Sequence, residues 1–515
     1  MTKIFSRFNY PIWFPILIGF LLRIVHLNTP IVGIHSWRQA DTAAMARHFA
    51  LEGAPIWLPQ IDWAGASKGY VECEFPIFPY IVGQIYKLFG VHESIGRGLS
   101  VLLSIMTILL VIRIGSKIFD PISGWWGGLF FALLPLNIYY GRTFQAESLL
   151  IFLAAISIDQ LFVWKKRSSI SALFISWVAF CLACLIKLLP FIWLGLPLLL
   201  IQVCYKDHSY LSSFKDLFRL VVKTIKSPVV WIYALSTIAV VLIWFVYSYH
   251  LGQQSGHSFF IWGKETDRVS LDMLINVEVW FNLFLRILVR NCAIFGIFFV
   301  FLCVWKCGHG SGIKVLNSGL LGIFICTALS MRSSSVHEYY QLPLQLFLCP
   351  MMGRGWNFLS VSIGAKRISK YLLATLFTML TFVSITVLSI DYWQVEISQE
   401  KIWMPLANVV RSEVNLQDRI VTVTGLDPTL LNLSRRQGWL SAANNVNEAN
   451  VRYWVSQGGQ YILGSLNWQE SYIPMNRNNS GSILNHLSCT EDFILCPQAP
   501  NYIYLIPLNS LIEDD

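Results

Sequence analysis

The sequence is poor in charged residues. Asp, Glu, Lys and Arg make up 13% of its 515 residues, whereas a soluble globular protein carries about 25%. Hydrophobic residues account for 55%, the mean hydropathy is +0.55, and several apolar runs approach the ~20 residues that cross a bilayer. This composition excludes a large soluble enzyme and predicts an all-α polytopic membrane protein.

Several sequence motifs are also missing. The chain has no P-loop, no G-x-G-x-x-G after a strand, no H-E-x-x-H and no G-x-S-x-G, so no cytosolic ATP or nucleotide-sugar site is indicated. Nor do paired charges occur in series within the apolar runs, as a proton-coupled transporter would favour. Any chemistry is therefore expected outside the membrane core and next to lipid.

The apolar runs predict about eleven transmembrane helices. They lie near residues 10–27, 95–116, 122–140, 146–163, 170–186, 189–204, 229–248, 284–305, 313–331, 341–358 and 371–390. Basic segments such as "WKKRSS" and "GAKRISK" alternate with poorly basic ones, and the positive-inside rule makes the basic ones cytoplasmic. We therefore expect an integral protein of the plasma (inner) membrane with a cytoplasmic N-terminus that is retained as a signal anchor.

The net charge of +9 does not indicate nucleic acid as a partner. The basic residues cluster between the apolar runs, where they set the topology and contact anionic membrane lipids.

We expect two domains. Residues 1–391 would form the transmembrane domain, with residues 28–94 as its first extracytoplasmic loop carrying interfacial helices, and residues 392–515 would form a small extracytoplasmic α/β domain. The stretch "RIVTVTGLDPTLLNLSRRQGWL" indicates a strand, a turn and a helix, "VRYWVSQGGQYILGS" indicates a helix and a strand, and "NYIYLIPL" would close a sheet. In this domain, Cys489 and Cys496 would lie in an oxidising compartment, and a disulfide bond and two free thiols are equally open.

The first outer loop contains the polar stretch "GIHSWRQADTAAMARHFALEG". It predicts a helix at the membrane interface, with Ser36 as its N-cap and Gln39 completing a capping box. Asp41 then lies in the second turn with His48 on the same side. Another face of the predicted helix carries a stripe that would lie along the membrane surface. It consists of Trp37, Ala40, Ala44 and Leu51. Asp41 is either a functional carboxylate on a rigid helix or an acid that only solvates an amphipathic one.

Other ionisable residues converge on the same predicted outer face from separate segments. Glu147, in "YYGRTFQAESLL", begins a helix whose dipole favours a carboxylate. Two interpretations of Arg142 are open: its planar guanidinium group binds phosphate, or the side chain anchors a helix at the membrane interface. Lys187, in "ACLIKLLPF", has two interpretations: its ammonium group contacts phosphate, or its side chain snorkels along the apolar surface to reach water. The same face carries His337, Tyr339 and Tyr340 of "SSVHEYYQLPL", where an aromatic belt explains the tyrosines better than the histidine.

With these motifs in place, residues 10–390 resemble the family 39-type glycosyltransferases of the GT-C fold, which include protein O-mannosyltransferases and the aminoarabinose transferase of lipid A. The resemblance is carried by the acid in "SWRQADTAAMAR", by "EFPIFPYIVGQIYKLFG" with "HESIGRGLS", by "YYGRTFQAESLL" and by "LACLIKLLP". It implies an inverting transfer of a sugar from a polyprenyl-phosphate carrier to a lipid, glycan or protein acceptor on the extracytoplasmic face.

The resemblance also implies roles for particular residues. Asp41 would be the general base on the acceptor and Glu147 a supporting carboxylate, and Lys187 with Arg142 would hold the carrier phosphate. The sequence departs from the family at Glu74, because many relatives have Lys-Pro-Pro there and use that lysine as a phosphate contact. Arg38 or Arg97 in its place, and a different hold on the carrier, are the alternatives.

Two further questions stay open at this stage. No ligand spacing indicates a metal, yet Asp41, Glu147, His48 and His337 would be available as ligands of a divalent ion. The same outer basic cluster would also serve a transporter or flippase of lipid-linked sugars, or a non-catalytic binding subunit.

Overall fold

The computed structural model describes residues 10–204, 222–259, 270–307, 310–363, 367–465 and 503–512. The chain divides into two compact units. The first, the helical unit, comprises Met1–Leu27, Arg97–Tyr247 and Trp262–Asp391. The second, the mixed unit, comprises Asn28–Gly96, Ser248–Ile261 and Tyr392–Asp515. The expected domain boundary between residues 391 and 392 stays a prediction.

Helices make up most of the described chain. In chain order they are α1 Trp13–Arg23, α2 Ser36–Leu51, α3 Ile77–Phe89, α4 Glu93–Ile118, α5 Pro121–Leu133, α6 Pro135–Tyr140, α7 Glu147–Arg167, α8 Ile170–Ile186, α9 Pro190–Trp193, α10 Gly195–Cys204, α11 Pro228–Ser255, α12 Leu271–Ile275, α13 Val277–Arg286, α14 Gly296–Cys307, α15 Ser311–Leu329, α16 Met331–Val336, α17 Leu344–Ile363, α18 Arg367–Val387, α19 Gln394–Glu413, α20 Thr429–Ser434 and α21 Glu448–Ser456. Four strands follow α19: β1 Arg419–Thr422, β2 Gly438–Leu440, β3 Gly459–Ser465 and β4 Ile503–Pro507.

Long apolar helices show that the chain is an integral membrane protein of mostly helical fold. Among the described residues, five stretches are long and apolar enough to cross a bilayer: Glu93–Ile118, Glu147–Arg167, Pro228–Ser255, Gly312–Leu329 and Tyr371–Glu413. A sixth would be the pair Val277–Asn291 and Gly296–Lys306, which is bent by 97°. The expected total of about eleven spans stays a prediction.

Small residues let the helices of the helical unit approach each other closely. A Cβ atom at Gly353 of α17 would overlap the carbonyl oxygen of Ser123 on α5, and one at Gly355 would overlap that of Phe299 on α14. Helices in membranes pack through such residues, because lipid supplies no hydrophobic force to press them together. Helix α17 is thereby fixed between α5 and α14.

The C-terminal part of the mixed unit contains a four-stranded sheet. Its order is β2-β1-β3-β4, with β1 parallel to β2 and β3 and with β4 antiparallel to β3. Alternate residues along a strand face opposite sides, so Ile420 and Leu463 pack against α19 and α20, whereas Val421 and Ile462 pack against α21. The predicted strand and helix after residue 419, and the predicted helix and strand that end at residue 465, are present. A separate extracytoplasmic α/β domain stays a prediction, and Cys489 and Cys496 lie outside the described residues.

Helix α2, in the first loop, does not begin as the sequence predicts. The residue that precedes it, His35, has a left-handed backbone with φ of 54° and makes no side-chain cap. Ser36 lies inside the helix, where its hydroxyl accepts a hydrogen bond from Thr429 of α20 at 3.0 Å. The capping box predicted for Ser36 and Gln39 is therefore wrong, because a long-range contact in the mixed unit takes the serine hydroxyl.

Helix α2 is buried on several sides instead of presenting an amphipathic face. Ten of its sixteen residues are buried, and α3 comes so close that a Cβ atom at Gly83 would contact Ala46 and Phe49. The stripe predicted to lie on the membrane surface is split, since Ala40 and Ala44 are buried while Leu51 is 71% exposed. That part of the prediction is wrong, because packing within the mixed unit overrides the periodicity of the isolated segment.

Candidate active site

Asp41 is a buried acid on α2 of the mixed unit. Its side chain is 6% exposed, and Trp63 Nε1 donates a hydrogen bond to its Oδ1 at 3.0 Å. Burial raises the pKa of Asp41 to about 8, because the charged form loses its hydration. The hydrogen bond from Trp63 and the charge of Arg38 oppose this effect, and the nearby carboxylates of Asp62 and Asp427 add to it.

Asp62, in the same unit, is buried just as deeply but has cationic partners. Its carboxylate forms an ion pair with Arg47, and His48 Nε2 lies 2.9 Å from its Oδ1. Burial raises the pKa of Asp62, but the charge of Arg47 and the hydrogen bond from His48 together lower it by more than burial raises it. The pKa of Asp62 is therefore below its usual value. Asp62 is therefore held as a carboxylate.

The two acids thus have opposite electrostatic environments within one unit. Pairs of titratable groups whose pKa values are pushed apart are typical of sites that transfer protons. The partners of Asp62 explain it as a structural ion pair. The loss of hydration of Asp41, in contrast, is not offset by its neighbours, and its pKa is raised. The suggestion that Asp41 merely solvates an amphipathic helix does not fit a side chain that water scarcely reaches.

Arg38 and Glu74 form an ion pair, with Arg38 Nη2 2.8 Å from Glu74 Oε2. Their side chains are 20% and 26% exposed. Glu74, which replaces the lysine of the related motif, thus neutralises the arginine that the sequence offered as a substitute contact for phosphate. The structure brings Arg38, Glu74 and Asp41 into the mixed unit, and it places the other predicted site residues in the helical unit.

Within the helical unit, Lys187 and Glu147 form a buried ion pair. Lys187 Nζ lies 2.7 Å from Glu147 Oε1, and the side chains are 10% and 2% exposed. Glu147 is the first residue of α7, where the helix dipole stabilises its negative charge. Lys187 follows the last residue of α8 in an extended conformation, so its side chain is not directed along the helix surface as a snorkelling lysine would be.

Two aromatic rings and a cavity complete this centre. Lys187 Nζ lies 4.5 Å from the ring centroid of Tyr339 and 4.8 Å from that of Tyr340, distances at which the ring faces attract a cation. His337 stacks on Tyr339 with ring centroids 5.3 Å apart. A small cavity of about 20 Å³ adjoins them, and its lining includes Leu150, Lys187, Trp193, Ile323, Ser330, Ser334, Tyr339 and Tyr340.

Two residues that the sequence did not assign to the site, Tyr140 and Arg290, contact Glu338 in the turn of residues 337–340. Tyr140 donates a hydrogen bond to Glu338 Oε1 at 2.9 Å. Arg290 forms an ion pair with Glu338 and lies 3.0 Å from Asp391. An arginine within an apolar run is a functional signal in itself, so Arg290 could have been found from the sequence, whereas the hydrogen bond of Tyr140 could not.

Arg97 and Arg142 both interact with the backbone of the helical unit. Each guanidinium is fully buried and donates from Nη1 to the carbonyl oxygen of His26, at 2.9 Å for Arg97 and 3.4 Å for Arg142. Arg142 also lies over the ring of Tyr139, 5.3 Å from its centroid. These contacts place both arginines within the packed helices, and their role toward a carrier phosphate stays a prediction.

A metal site is not evident in the part of the chain that the structure describes. No group of three or more His, Cys, Asp or Glu side chains is arranged there to hold an ion. Both ring nitrogens of His48 lie next to carboxylates, Nδ1 at 2.6 Å from Glu52 and Nε2 at 2.9 Å from Asp62. The divalent ion considered from the sequence stays a hypothesis without a defined ligand set.

The chain has similarity to known proteins in both sequence and structure. Residues 74–247 match the family model described as dolichyl-phosphate-mannose-protein mannosyltransferase. No curated protein sequence matches the chain significantly.

Solved structures share the fold at low sequence identity. One is ArnT from Cupriavidus metallidurans bound to undecaprenyl phosphate, with a TM-score of 0.61, 14% identity, and coverage of 98% of this chain and 99% of that chain. Another is the archaeal oligosaccharyltransferase AglB from Archaeoglobus fulgidus in complex with an inhibitory peptide and a dolichol-phosphate. Its TM-score is 0.57 at 11% identity, with coverage of 88% of this chain and 69% of that chain.

The resemblance predicted from the sequence motifs is thereby confirmed. In fold over nearly its whole length and in sequence over residues 74–247, the chain is similar to the GT-C glycosyltransferases that use polyprenyl-phosphate carriers.

Proposed function

We propose that the chain is an inverting glycosyltransferase of the plasma membrane. It moves a sugar from a polyprenyl-phosphate carrier to a hydroxyl group of an acceptor on the extracytoplasmic face. The observation that carries this proposal is the buried carboxyl group of Asp41, whose raised pKa suits a proton acceptor. Buried acids with a raised pKa are typical of sites that transfer protons.

The proposed reaction is a single displacement. The acceptor oxygen forms a bond to the anomeric carbon of the sugar while the bond from that carbon to the phosphate oxygen breaks. The acceptor proton passes to the carboxylate of Asp41, and the electron pair of the broken bond leaves with the polyprenyl phosphate. Because the acceptor attacks the face opposite the phosphate, the anomeric configuration inverts.

Lys187 is proposed to neutralise the charge that develops on the leaving phosphate. A preorganised cation in a dry site stabilises such charge strongly, since little reorganisation is needed during the reaction. Glu147 Oε1, 2.7 Å from Lys187 Nζ, orients the lysine side chain. Apolar residues such as Leu150 and Ile323 line the same small cavity as Lys187, and a phosphate joined to a hydrocarbon chain would need such neighbours.

The similar structures support the donor class. ArnT is described with undecaprenyl phosphate bound, and AglB with a dolichol-phosphate. The acceptor of this chain is proposed only as a lipid, glycan or protein that carries a hydroxyl group.

Replacing Asp41 by Asn tests the proposed base. We expect the turnover of a radiolabelled polyprenyl-phosphate sugar to fall by about 10²–10⁴-fold, while the dissociation constant of the carrier stays close to that of the wild type. Undiminished turnover by Asp41→Asn would remove the base from the mechanism.

The same substitution should stabilise the fold. The folded-state pKa of Asp41 lies above its unfolded value, so the folded chain holds an extra proton between roughly pH 4 and pH 8, and stability falls as the pH rises through this window. Asp41→Asn should therefore unfold at a higher temperature than the wild type, by more at pH 8 than at pH 5. The matched control Asp62→Asn loses an ion pair and should unfold at a lower temperature.

The pH dependence of the reaction gives a second test. Since the carboxylate of Asp41 must be ionised to accept a proton, kcat/KM should rise with pH along a limb whose apparent pKa is about 8. Trp63→Phe removes the hydrogen bond that lowers this pKa, so the limb should move to higher pH. A rate that stays level from pH 8 down to pH 6 would contradict this account.

Removing the Lys187 charge tests the phosphate contact. Because breaking one partner of a buried ion pair costs about 3–5 kcal/mol of stability, the informative variant is the double change Lys187→Met with Glu147→Gln. A contact to a charged group contributes about 1.5–3 kcal/mol, so the dissociation constant for undecaprenyl phosphate should rise about 10- to 150-fold. The control Arg354→Gln removes the cation of a partly exposed ion pair with Asp120 in the same unit and should retain the affinity. Equal affinity of the double variant would exclude Lys187 as the contact.

A further inference from the structure

A second polar cleft lies in the mixed unit, apart from Asp41 and its partners. It has a volume of about 310 Å³ and is open to solvent. Its polar lining consists of Asn28, His92, Glu93, Ser94, Arg411 and Arg435. Met404 and Leu433 give it one apolar wall. None of these residues has a role in the proposed transfer step.

Two exposed arginines from different elements meet in this cleft. Arg411, near the end of α19, donates from Nη2 to the carbonyl oxygen of Leu433, and Arg435, just after α20, donates from Nη2 to that of Val91 at 3.4 Å. A guanidinium has five N–H donors, so each backbone contact anchors the group and leaves further donors for a ligand. Among the described residues, neither arginine forms an ion pair.

The charges of the cleft sum in favour of an anion. Arg435 and Glu93 both act electrostatically on Arg411, which shows that the three groups are close together. The carboxylate of Glu93 already accepts a hydrogen bond from the backbone N–H of Ile31 at 3.1 Å. Two guanidinium groups thus share the cleft with one acid, and His92 is a further polar residue of its lining.

The backbone of Arg435 supplies an independent observation. It is the residue that terminates α20, and its φ of 56° lies in the left-handed region. Glycine and asparagine are preferred at such a position because a Cβ atom is strained there. Strain retained at a residue with a functional side chain points to a role for that side chain. The conformation is the one that turns the arginine toward Val91 and the cleft.

We propose that this cleft binds a phosphate monoester carried by the acceptor of the transfer reaction. Paired guanidinium forks match the planar, bidentate geometry of phosphate oxygens, and the wall formed by Met404 and Leu433 suits the sugar or alkyl group attached to it. The identification of the ligand as the acceptor rests on the proposed transferase function, whereas the binding of a phosphate does not.

Arg435→Gly is the decisive variant, because glycine relieves the backbone strain while removing the guanidinium. The full-length protein would be reconstituted in phosphatidylcholine nanodiscs, and binding of glucose 6-phosphate would be measured by isothermal titration calorimetry, with glucose as the uncharged comparison. We expect the wild type to bind the phosphate and not glucose. Arg435→Gly and Arg411→Gln should each weaken binding by about tenfold or more, and Arg435→Gly should unfold at a temperature at least as high as the wild type.

A control arginine and a second probe sharpen the experiment. Arg452→Gln removes an exposed arginine of α21 that pairs with Glu448 and should leave binding unchanged. Nanodiscs containing phosphatidic acid, analysed by native mass spectrometry for retained lipid, test whether the phosphate belongs to a lipid. If Arg435→Gly loses binding of glucose 6-phosphate alone, the site is supported with a soluble glycan ligand. If it loses binding of phosphatidic acid alone, the site is supported with a lipid ligand.

The proposal is overturned if Arg435→Gly binds both probes as tightly as the wild type, or if Arg452→Gln loses affinity equally. Asp41→Asn keeps this outcome separate from that of the transferase proposal. It should bind glucose 6-phosphate normally even where transfer is abolished. A wild type that binds phosphate through Arg435 yet transfers no sugar would leave the cleft established and refute the transferase.

Discussion

The cost of removing charge from water is the constraint on which this structure depends. A buried ion is tolerated only where protein atoms replace its hydration. Lys187 and Glu147 satisfy each other at 2.7 Å, and Asp62 is satisfied by Arg47 and His48. In each case a carboxylate is fixed by a cation supplied from a different segment, so these pairs also hold the segments in register.

Asp41 is also buried, but the groups around it do not replace its lost hydration. Among the described residues, Trp63 donates its side-chain hydrogen bond, and a single neutral donor does not offset the loss of hydration. The acid therefore stays largely protonated at neutral pH, and the fraction that is ionised is a strong proton acceptor. Natural proteins keep such destabilising groups where activity requires them, and this contrast between Asp41 and Asp62 is the physical basis of the functional proposal.

Local features of the fold could be predicted from the sequence, and long-range ones could not. The strand, turn and helix that begin at Arg419 follow from alternating apolar residues, and the polar positions Glu147 and Lys187 were visible as interruptions of apolar runs. The contact of Trp63 with Asp41 spans 22 residues, and the hydrogen bond of Thr429 to Ser36 spans 393. No periodicity encodes such contacts, which is why the predicted capping box and surface stripe of α2 failed.

The protonation state of Asp41 is the central claim, and infrared difference spectroscopy measures it directly. The ligand-free wild type is compared with Asp41→Asn across pH 5 to 10. The account predicts a protonated carboxyl band that is absent from the variant and that disappears in the wild type with a midpoint near pH 8. A carboxylate already ionised at pH 5, with its midpoint near the ordinary aspartate value of about 4, would contradict it.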